Sequence, residues 1–313
     1  MQTVLITGGT GFLGRHLAAS LRRDHHVFLG GRNSNQNAMA REATGCPVLP
    51  LDVTNMESVR DAFREVRPDI VIHAAAMKYV DFAEKFPLDC IDINVTGSQN
   101  VARVAMDSNV AVVVGISTDK AAPPIMNTYG LSKALMERMF CSLNGKTKSK
   151  FCCVRFGNLA WSTGSVLPIW KKMHDDTGVI GSTGPEMRRL ICSVDDAVQL
   201  VRTAIERADT LGGKVISRRM KAAQIEDLLN TWTRHKGGRW ERIAARPGDR
   251  CDEALIGDIE VPFTAAAEHD GVEYYVISFD EKAKHPIASG LSSKNAERLS
   301  EREMLDIIDN PVE

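Results

Sequence analysis

The stretch STDKAAPPIMNTYGLSK, from Ser117 to Lys133, sets a threonine, an aspartate, two lysines and a tyrosine between two apolar runs. Tyr129 and Lys133 have Y-x-x-x-K spacing, and residues four apart on a helix share a face. An ammonium so placed can lower the pKa of a phenol and make it a base toward a hydroxyl proton. Directly beyond a strand, such a pair points to hydride chemistry at an alcohol carbon. Thr118, Asp119 and Lys120 form a second polar set just ahead of it. Taken alone, that set reads as a solvated turn with a charge pair of negligible energy.

Hydride chemistry needs a redox cofactor, and the N-terminus is suited to hold one. The strand pattern TVLIT runs into GGTGFLG, where Gly8, Gly11 and Gly14 give G-x-x-G-x-x-G ahead of the helical pattern FLGRHLAASLRR. A strand-to-helix turn leaves free N–H groups at the positive end of the helix dipole, where a pyrophosphate can sit. Glycine lets the backbone turn and come close to the phosphates. Gly8, Thr10, Gly11, Phe12 and Leu13 are therefore the expected dinucleotide contacts. At the end of the next strand, an acid commonly serves the ribose hydroxyls of NAD, whereas an arginine accommodates the 2′-phosphate of NADP. HVFLGGRNSNQN has no acid there, so Arg32, helped by Asn33 or Ser34, favours NADP(H) over NAD. Asp52 reads either as an adenine contact or as a turn residue. Val53, Ala74, Ala75 and Ala76 complete the expected cofactor set.

The elements that must position these residues alternate. Apolar runs predict strands at 3–7, 26–30, 47–51, 69–74, 110–117 and 150–156, and helical patterns lie between them at 12–23, 56–66, 88–108 and 129–143. Thr54 as N-cap with Glu57 three residues on predicts the start of the helix at 56. Runs that are apolar almost throughout suit strands covered on both faces. The pattern predicts an α/β fold: a Rossmann-type doubly wound parallel sheet with a smaller, interleaved C-terminal substrate-binding domain. Residues 1–156 form the expected nucleotide-binding domain. A helix capped by Ser193 and a strand at 212–217 return to it within 191–217. Residues 157–190 and 218–313 form the other part, the latter with two or three helices and irregular connections.

Bulk properties exclude several function classes. With 313 residues, 43% hydrophobic and 25% charged, the chain has the composition of a soluble globular protein of one large or two intimately joined domains. A formal net charge of −1 provides no field to draw in nucleic acid or an anionic membrane. The seven cysteines include no CxxC and no Cys/His cluster at metal-ligand spacing, which favours a reducing cytoplasm and no metal. No signal peptide and no apolar run of about eighteen residues are expected. His73, at the end of an apolar strand, reads as a packed residue, and the four tryptophans read as core.

Taken together, the motifs resemble the extended short-chain dehydrogenase/reductases, and within them the inverting UDP-N-acetylglucosamine 4,6-dehydratases of capsule and flagellin-sugar synthesis. HAAAMKYVDFAEKFPLDCIDINVTG (73–97), STDKA (117–121), RFGNLAWSTGSVLPIWKK (155–172), MRRLICSVDDAV (187–198), RPGDRCDEALI (246–256) and SKNAERLS (293–300) all match blocks of that family, so the resemblance spans nearly the whole chain. It implies that oxidation at C4 of a hexose acidifies the C5 hydrogen. Lys120 then acts as base at C5, Asp119 as acid at the C6 hydroxyl, and Thr118 near the C4 oxygen, with Tyr129 and Lys133 serving the oxidation. The hydride returned to C6 leaves a 4-keto-6-deoxy sugar, inverted at C5 if the proton returns from the other face. Lys78 and Asn158 are implied near the sugar, and Arg189 and Arg246 on the diphosphate. Family analogy also implies a homo-oligomer formed through helices near 88–108 and 129–143.

Three departures from the family pattern stand out. Asp119 and Tyr129 are ten positions apart, one more than in the pattern. Asp81 replaces a proline, and Thr163 stands where an arginine is usual. They leave open an epimerase, a 5,6-dehydratase or a catalytically silent NADP-sensing protein on the same fold.

Overall fold

The structure, a computed structural model, describes residues 1–245 and 247–312. Its centre is a nine-stranded sheet. The strands are β1 (Thr3–Thr7), β2 (His26–Gly31), β3 (Val48–Pro50), β4 (Ile70–His73), β5 (Val112–Thr118), β6 (Lys150–Phe156), β7 (Val215–Ser217), β8 (Thr264–His269) and β9 (Val272–Ile277), in the order β8-β9-β7-β6-β5-β4-β1-β2-β3. From β3 to β7 every neighbour is parallel. The order reverses at β1, which lies between β2 and β4, and a crevice opens at the carboxyl ends of strands at such a switch point. β1, β4 and β5 are buried along almost their whole length because helices cover both faces.

Helices α1 (Phe12–Leu21), α2 (Ser34–Thr44), α3 (Met56–Val66), α4 (Thr128–Leu143) and α5 (Val194–Glu206) pack around this sheet. As expected, Ser193 caps α5 by accepting from Asp196 N at 3.0 Å, and β7 pairs with β6. Asn55, not Thr54, caps α3, accepting from the backbone of Glu57 and Ser58. The Thr54 hydroxyl instead donates to Asp52 Oδ1 at 2.8 Å.

Three elements depart from the sequence expectation. α2 forms where the sequence pattern predicts no helix, because Asn33 caps it and Gly45, at φ +67°, ends it; only Ala40 and Thr44 are buried, so its apolar periodicity is weak. The helix expected over 88–108 is interrupted: helices Val80–Lys85 and Pro87–Ile91 lead into a wide turn at Asp92–Thr96 and then helix Gly97–Asp107. Residues 218–313 hold two α-helices, Ile225–Lys236 and Glu301–Asp309, but also strands, of which β8 and β9 extend the large sheet as an antiparallel hairpin. A second apolar cluster gathers Trp161, Trp170 and Trp232 with Leu228, Leu229, Ile308 and neighbours, so these tryptophans are core.

Candidate active site

A cleft of about 970 Å³ opens at the carboxyl ends of β1, β4 and β5. Gly8, Thr10, Gly11, Phe12, Leu13, Arg32, Asp52, Val53, Ala74, Ala75 and Ala76 line it, as do Lys78, Thr118, Lys120, Tyr129, Lys133, Asn158 and Arg189. Tertiary structure thus brings together residues scattered over 180 positions. Asp119 lies just beneath the lining at 1% exposure. Asn33 is outside it, its side chain occupied in capping α2. Arg246 lies outside the described residues.

One end of the cleft is formed by the glycine turn. Gly8 has φ +65°, and a Cβ there would lie 2.7 Å from the Ala75 backbone; at Gly14 it would meet the Gly9 backbone at 2.5 Å. The turn and α1 are therefore in backbone-to-backbone contact that only glycine permits. No side chain caps α1, whose N-cap is Gly11. Its first N–H groups face the cleft with the positive end of the helix dipole, so the residues present fit a dinucleotide pyrophosphate. Arg32 is exposed at the mouth beyond β2. Asp52 Oδ1 accepts from the Thr54 backbone at 3.0 Å as well as from its hydroxyl, so Asp52 has a turn role while still lining the cleft.

The other end gathers charge. Where β5 ends, a single tight turn, Asp119–Ala121, presents two ionisable side chains at once. Lys120 Nζ lies 3.0 Å from Asp119 Oδ1, 3.4 Å from Asn158 Oδ1 and 3.5 Å from Glu253 Oε1. The Thr118 hydroxyl donates to Asp119 Oδ1 at 2.9 Å and accepts from Lys120 N at 3.4 Å. Asn127 caps α4, accepting from Gly130 N at 2.7 Å, and this sets the first turn that carries Tyr129 and, one turn on, Lys133. Asn94 fastens that helix to the loop after β4: it accepts from Met77 N at 2.7 Å and donates to Ser132 Oγ at 2.9 Å. His73 is packed as expected, between Thr7 Oγ1 at 2.8 Å and Ser98 Oγ at 2.9 Å.

Burial dominates the electrostatics. It pushes the Tyr129 phenol up to about 12, with the Asp119 charge adding to it; the Lys120 ammonium and the Thr118 hydrogen bond oppose the rise. Burial also brings Lys133 down to about 8, and its Nζ sits 3.2 Å from Met136 Sδ. The lowering of Tyr129 by Lys133 expected from spacing is therefore not what the fold provides. Burial works against the charge of Lys120 too, yet Asp119 and Glu253 outweigh it and hold the ammonium above its ordinary pKa. His73 is brought down to about 3 by burial and by Lys133, so its ring is neutral.

Among the residues assigned to substrate, Lys78 donates to the Thr163 carbonyl at 2.6 Å, and burial lowers its pKa. Arg189 is buried and anchored: Nη1 donates to the carbonyls of Arg188 at 2.9 Å and Arg250 at 2.8 Å. In the stretch ahead of Tyr129 that carries the extra residue, Pro124 and Met126 are exposed while Asn127 and Tyr129 are buried. Arg250 holds that stretch by donating to the Pro124 carbonyl at 3.0 Å. Asp81 does line the cleft, joined there by Asp249. Sequence reasoning missed Glu253. Its one signal is an acid standing directly before the apolar run ALI, inside a block already singled out.

Comparison with known proteins agrees with this geometry. The model of a family described as polysaccharide biosynthesis protein matches residues 4–297. An uncharacterized membrane protein of Methanocaldococcus jannaschii is 32% identical over 98% of this chain and 95% of its own. Among the described residues, no helix is long and apolar enough to cross a membrane. A UDP-glucose 4-epimerase of Rickettsia bellii is 32% identical over 99% of this chain and 96% of its own. A UDP-N-acetylglucosamine 4,6-dehydratase (inverting) of Campylobacter jejuni is 30% identical over 99% and 98%. The X-ray structure of Pen from Bacillus thuringiensis superimposes with a TM-score of 0.90 at 28% identity, covering 99% of this chain and 97% of that one. Sequence, sheet order and cleft converge on one conclusion: the chain belongs to the polysaccharide biosynthesis protein family, as an extended short-chain dehydrogenase/reductase of the nucleotide-sugar dehydratase and epimerase type.

Proposed function

We propose that the protein is an NADP-dependent nucleotide-sugar 4,6-dehydratase, with UDP-N-acetylglucosamine as substrate and C5 inversion as a further outcome. The observation that carries this reading is the Asp119–Lys120 pair, 3.0 Å apart at the end of β5, in the cleft that also holds Tyr129. Epimerisation at C4 requires no such acid and base, whereas elimination across C5–C6 requires both. On this reading 1–156 with 191–217 hold the nucleotide cofactor, while 157–190 with 218–313, apart from the hairpin that joins the sheet, hold the sugar nucleotide.

The nicotinamide cofactor, when bound, supplies a hydride acceptor for C4 and a hydride donor for C6. Tyr129 takes the C4 hydroxyl proton as the phenolate, a form that burial opposes and the Lys120 ammonium favours. In the resting cluster Lys120 is an ammonium and Asp119 its carboxylate partner. Passing one proton across their 3.0 Å contact produces a neutral amine and a carboxylic acid, the two forms the elimination uses. The amine removes the C5 proton and later returns one to C5; the acid protonates the departing C6 hydroxyl, which leaves as water. Across the cycle Tyr129 gains a proton and Asp119 loses one. Thr118, which donates to Asp119 at 2.9 Å, is the residue this reading assigns to resetting them. Lys78 and Asn158 orient the sugar, and Arg189 and Arg246 take the diphosphate.

Incubation with UDP-N-acetylglucosamine and NADP, followed by mass spectrometry, tests the reading. The expected product is lighter by one water. An unchanged mass with altered stereochemistry would establish the second reading, a nucleotide-sugar epimerase, which the Rickettsia relatives named UDP-glucose 4-epimerase favour. Tyr129→Phe should slow turnover by a factor on the order of 10²–10⁴, as loss of a general base does. Turnover that survives both Tyr129→Phe and Lys120→Ala contradicts the assigned roles.

A further inference from the structure

Glu253 stands immediately before the strand Ala254–Ile256, far from Lys120 in sequence, yet its Oε1 is 3.5 Å from Lys120 Nζ. The ammonium therefore lies between two carboxyl groups, each no more than 2% exposed. The second oxygens of both, Asp119 Oδ2 and Glu253 Oε2, are buried without a hydrogen-bond partner among the described residues. Arg250 comes no nearer than 3.8 Å to Glu253 Oε2. The backbone around Glu253 is fastened: its N–H donates to Ser293 Oγ at 3.0 Å and its carbonyl accepts from Ser293 N at 2.8 Å. A rigid backbone with an under-satisfied buried carboxyl is costly to fold. It is also the arrangement in which a proton is readily gained or shared between neighbouring carboxyls.

We propose that Glu253 is a positioning residue for the elimination step: in its protonated form it holds Lys120 by a neutral contact and so lets Lys120 hand its proton to Asp119. The inference rests on the assignment of Lys120 as the C5 base. The charged groups facing Glu253 are Lys120 and Asp119 from the turn after β5, Arg189 from the strand Arg188–Cys192, and Arg250 from its own loop. Burial pushes the Glu253 carboxyl up and the Asp119 charge adds to this, against Lys120, Arg189 and Arg250. When Glu253 ionises, Lys120 faces two negative charges in place of one, and release of its proton is opposed. No atom is created or lost in the step: the proton leaves Lys120 Nζ, arrives on Asp119, and the Glu253 proton stays in place.

The consequence is an alkaline decline in kcat as pH rises through the Glu253 ionisation. Glu253→Gln, which has the shape of the protonated side chain and cannot ionise, should stay active and lose that decline. Glu253→Asp, which still ionises, should keep it. A decline that is the same in wild type and Glu253→Gln overturns the proposal. A second readout needs no turnover. With lysine ε-carbons labelled and Lys120 assigned from the Lys120→Ala spectrum, NMR titration should show the Lys120 midpoint lower in Glu253→Gln by about one pH unit or more. An unmoved midpoint overturns the proposal whether or not any sugar nucleotide is dehydrated. A lowered midpoint without water loss from UDP-N-acetylglucosamine supports the Glu253–Lys120 coupling and counts against the dehydratase reading alone.

Discussion

Arg32 leaves β2 with its guanidinium at the mouth of the cleft, just past the glycine turn. Because Asn33 is committed to capping α2, Arg32, with Ser34 beside it, carries the proposed preference for NADP. A charge-assisted hydrogen bond contributes about 1.5–3 kcal/mol, so Arg32→Ala should weaken NADP binding by roughly ten- to a hundredfold and leave NAD nearly unchanged. Fluorescence titration with both nucleotides checks this, and equal losses for the two would remove Arg32 from the site. His73 gives a prediction in stability. Its folded pKa of about 3 lies below the ordinary 6.5, so between those values the unfolded chain binds a proton that the folded chain refuses. Stability therefore falls as pH drops from about 6.5 toward 3, by up to about 1.4 kcal/mol per pH unit from this residue. Denaturant unfolding of His73→Asn across that range should show a shallower slope than wild type.

At the scale of elements, Arg155 on β6 ties the sheet to the C-terminal region. Its guanidinium, fully buried, reaches Glu137 Oε2 on α4 at 2.7 Å and Glu260 Oε2 at 2.8 Å, and donates to the Leu255 carbonyl at 3.0 Å. Burial alone would depress its charge, but the two carboxylates outweigh that and raise its pKa. Every donor that points at a carboxylate is matched, in contrast with the Lys120 cluster. Truncating one member leaves buried charges unpaired, so Arg155→Ala should cost about 3–5 kcal/mol by denaturant unfolding. A loss below 1 kcal/mol would mean that water or a neighbouring cation replaces it. The same element holds Ser217 through the Arg155 carbonyl at 2.7 Å, so β7 should loosen with it in hydrogen exchange.

The whole molecule presents one feature that a single copy leaves unresolved. Phe82, Leu88 and Ile91 on the helices before residue 92, and Leu131 and Leu135 on α4, are 45–75% exposed. These helices pack on one another, so the apolar groups gather on one side, and contiguous patches of this kind mark protein contacts. Self-association through this face is the arrangement proposed here. Leu131→Glu with Leu135→Glu should shift the sedimentation coefficient to that of a smaller species while preserving NADP binding. An unchanged coefficient would place any interface elsewhere.

Much of this was legible from residues alone. The glycine turn, the Tyr129–Lys133 spacing and the Asp119–Lys120 pair are local patterns, and β1, α3 and β6 follow from periodicity over a few residues. The hairpin β8–β9 was missed: Asp270-Gly271 is a strong two-residue turn signal and both residues adopt φ > 0, but the Thr-Ala-Ala-Ala run before it offers little strand character. α2 was hidden by its polarity. Other features depend on contacts between distant segments. No spacing rule could place Glu253 beside Lys120 or show that burial would raise Tyr129 with the Lys120 ammonium opposing the rise. Those facts arise because folding brings Asp119, Lys120, Arg189 and Glu253 from three distant segments into one desolvated space. There, pKa follows burial and the nearest charge, neither of which is a property of sequence distance.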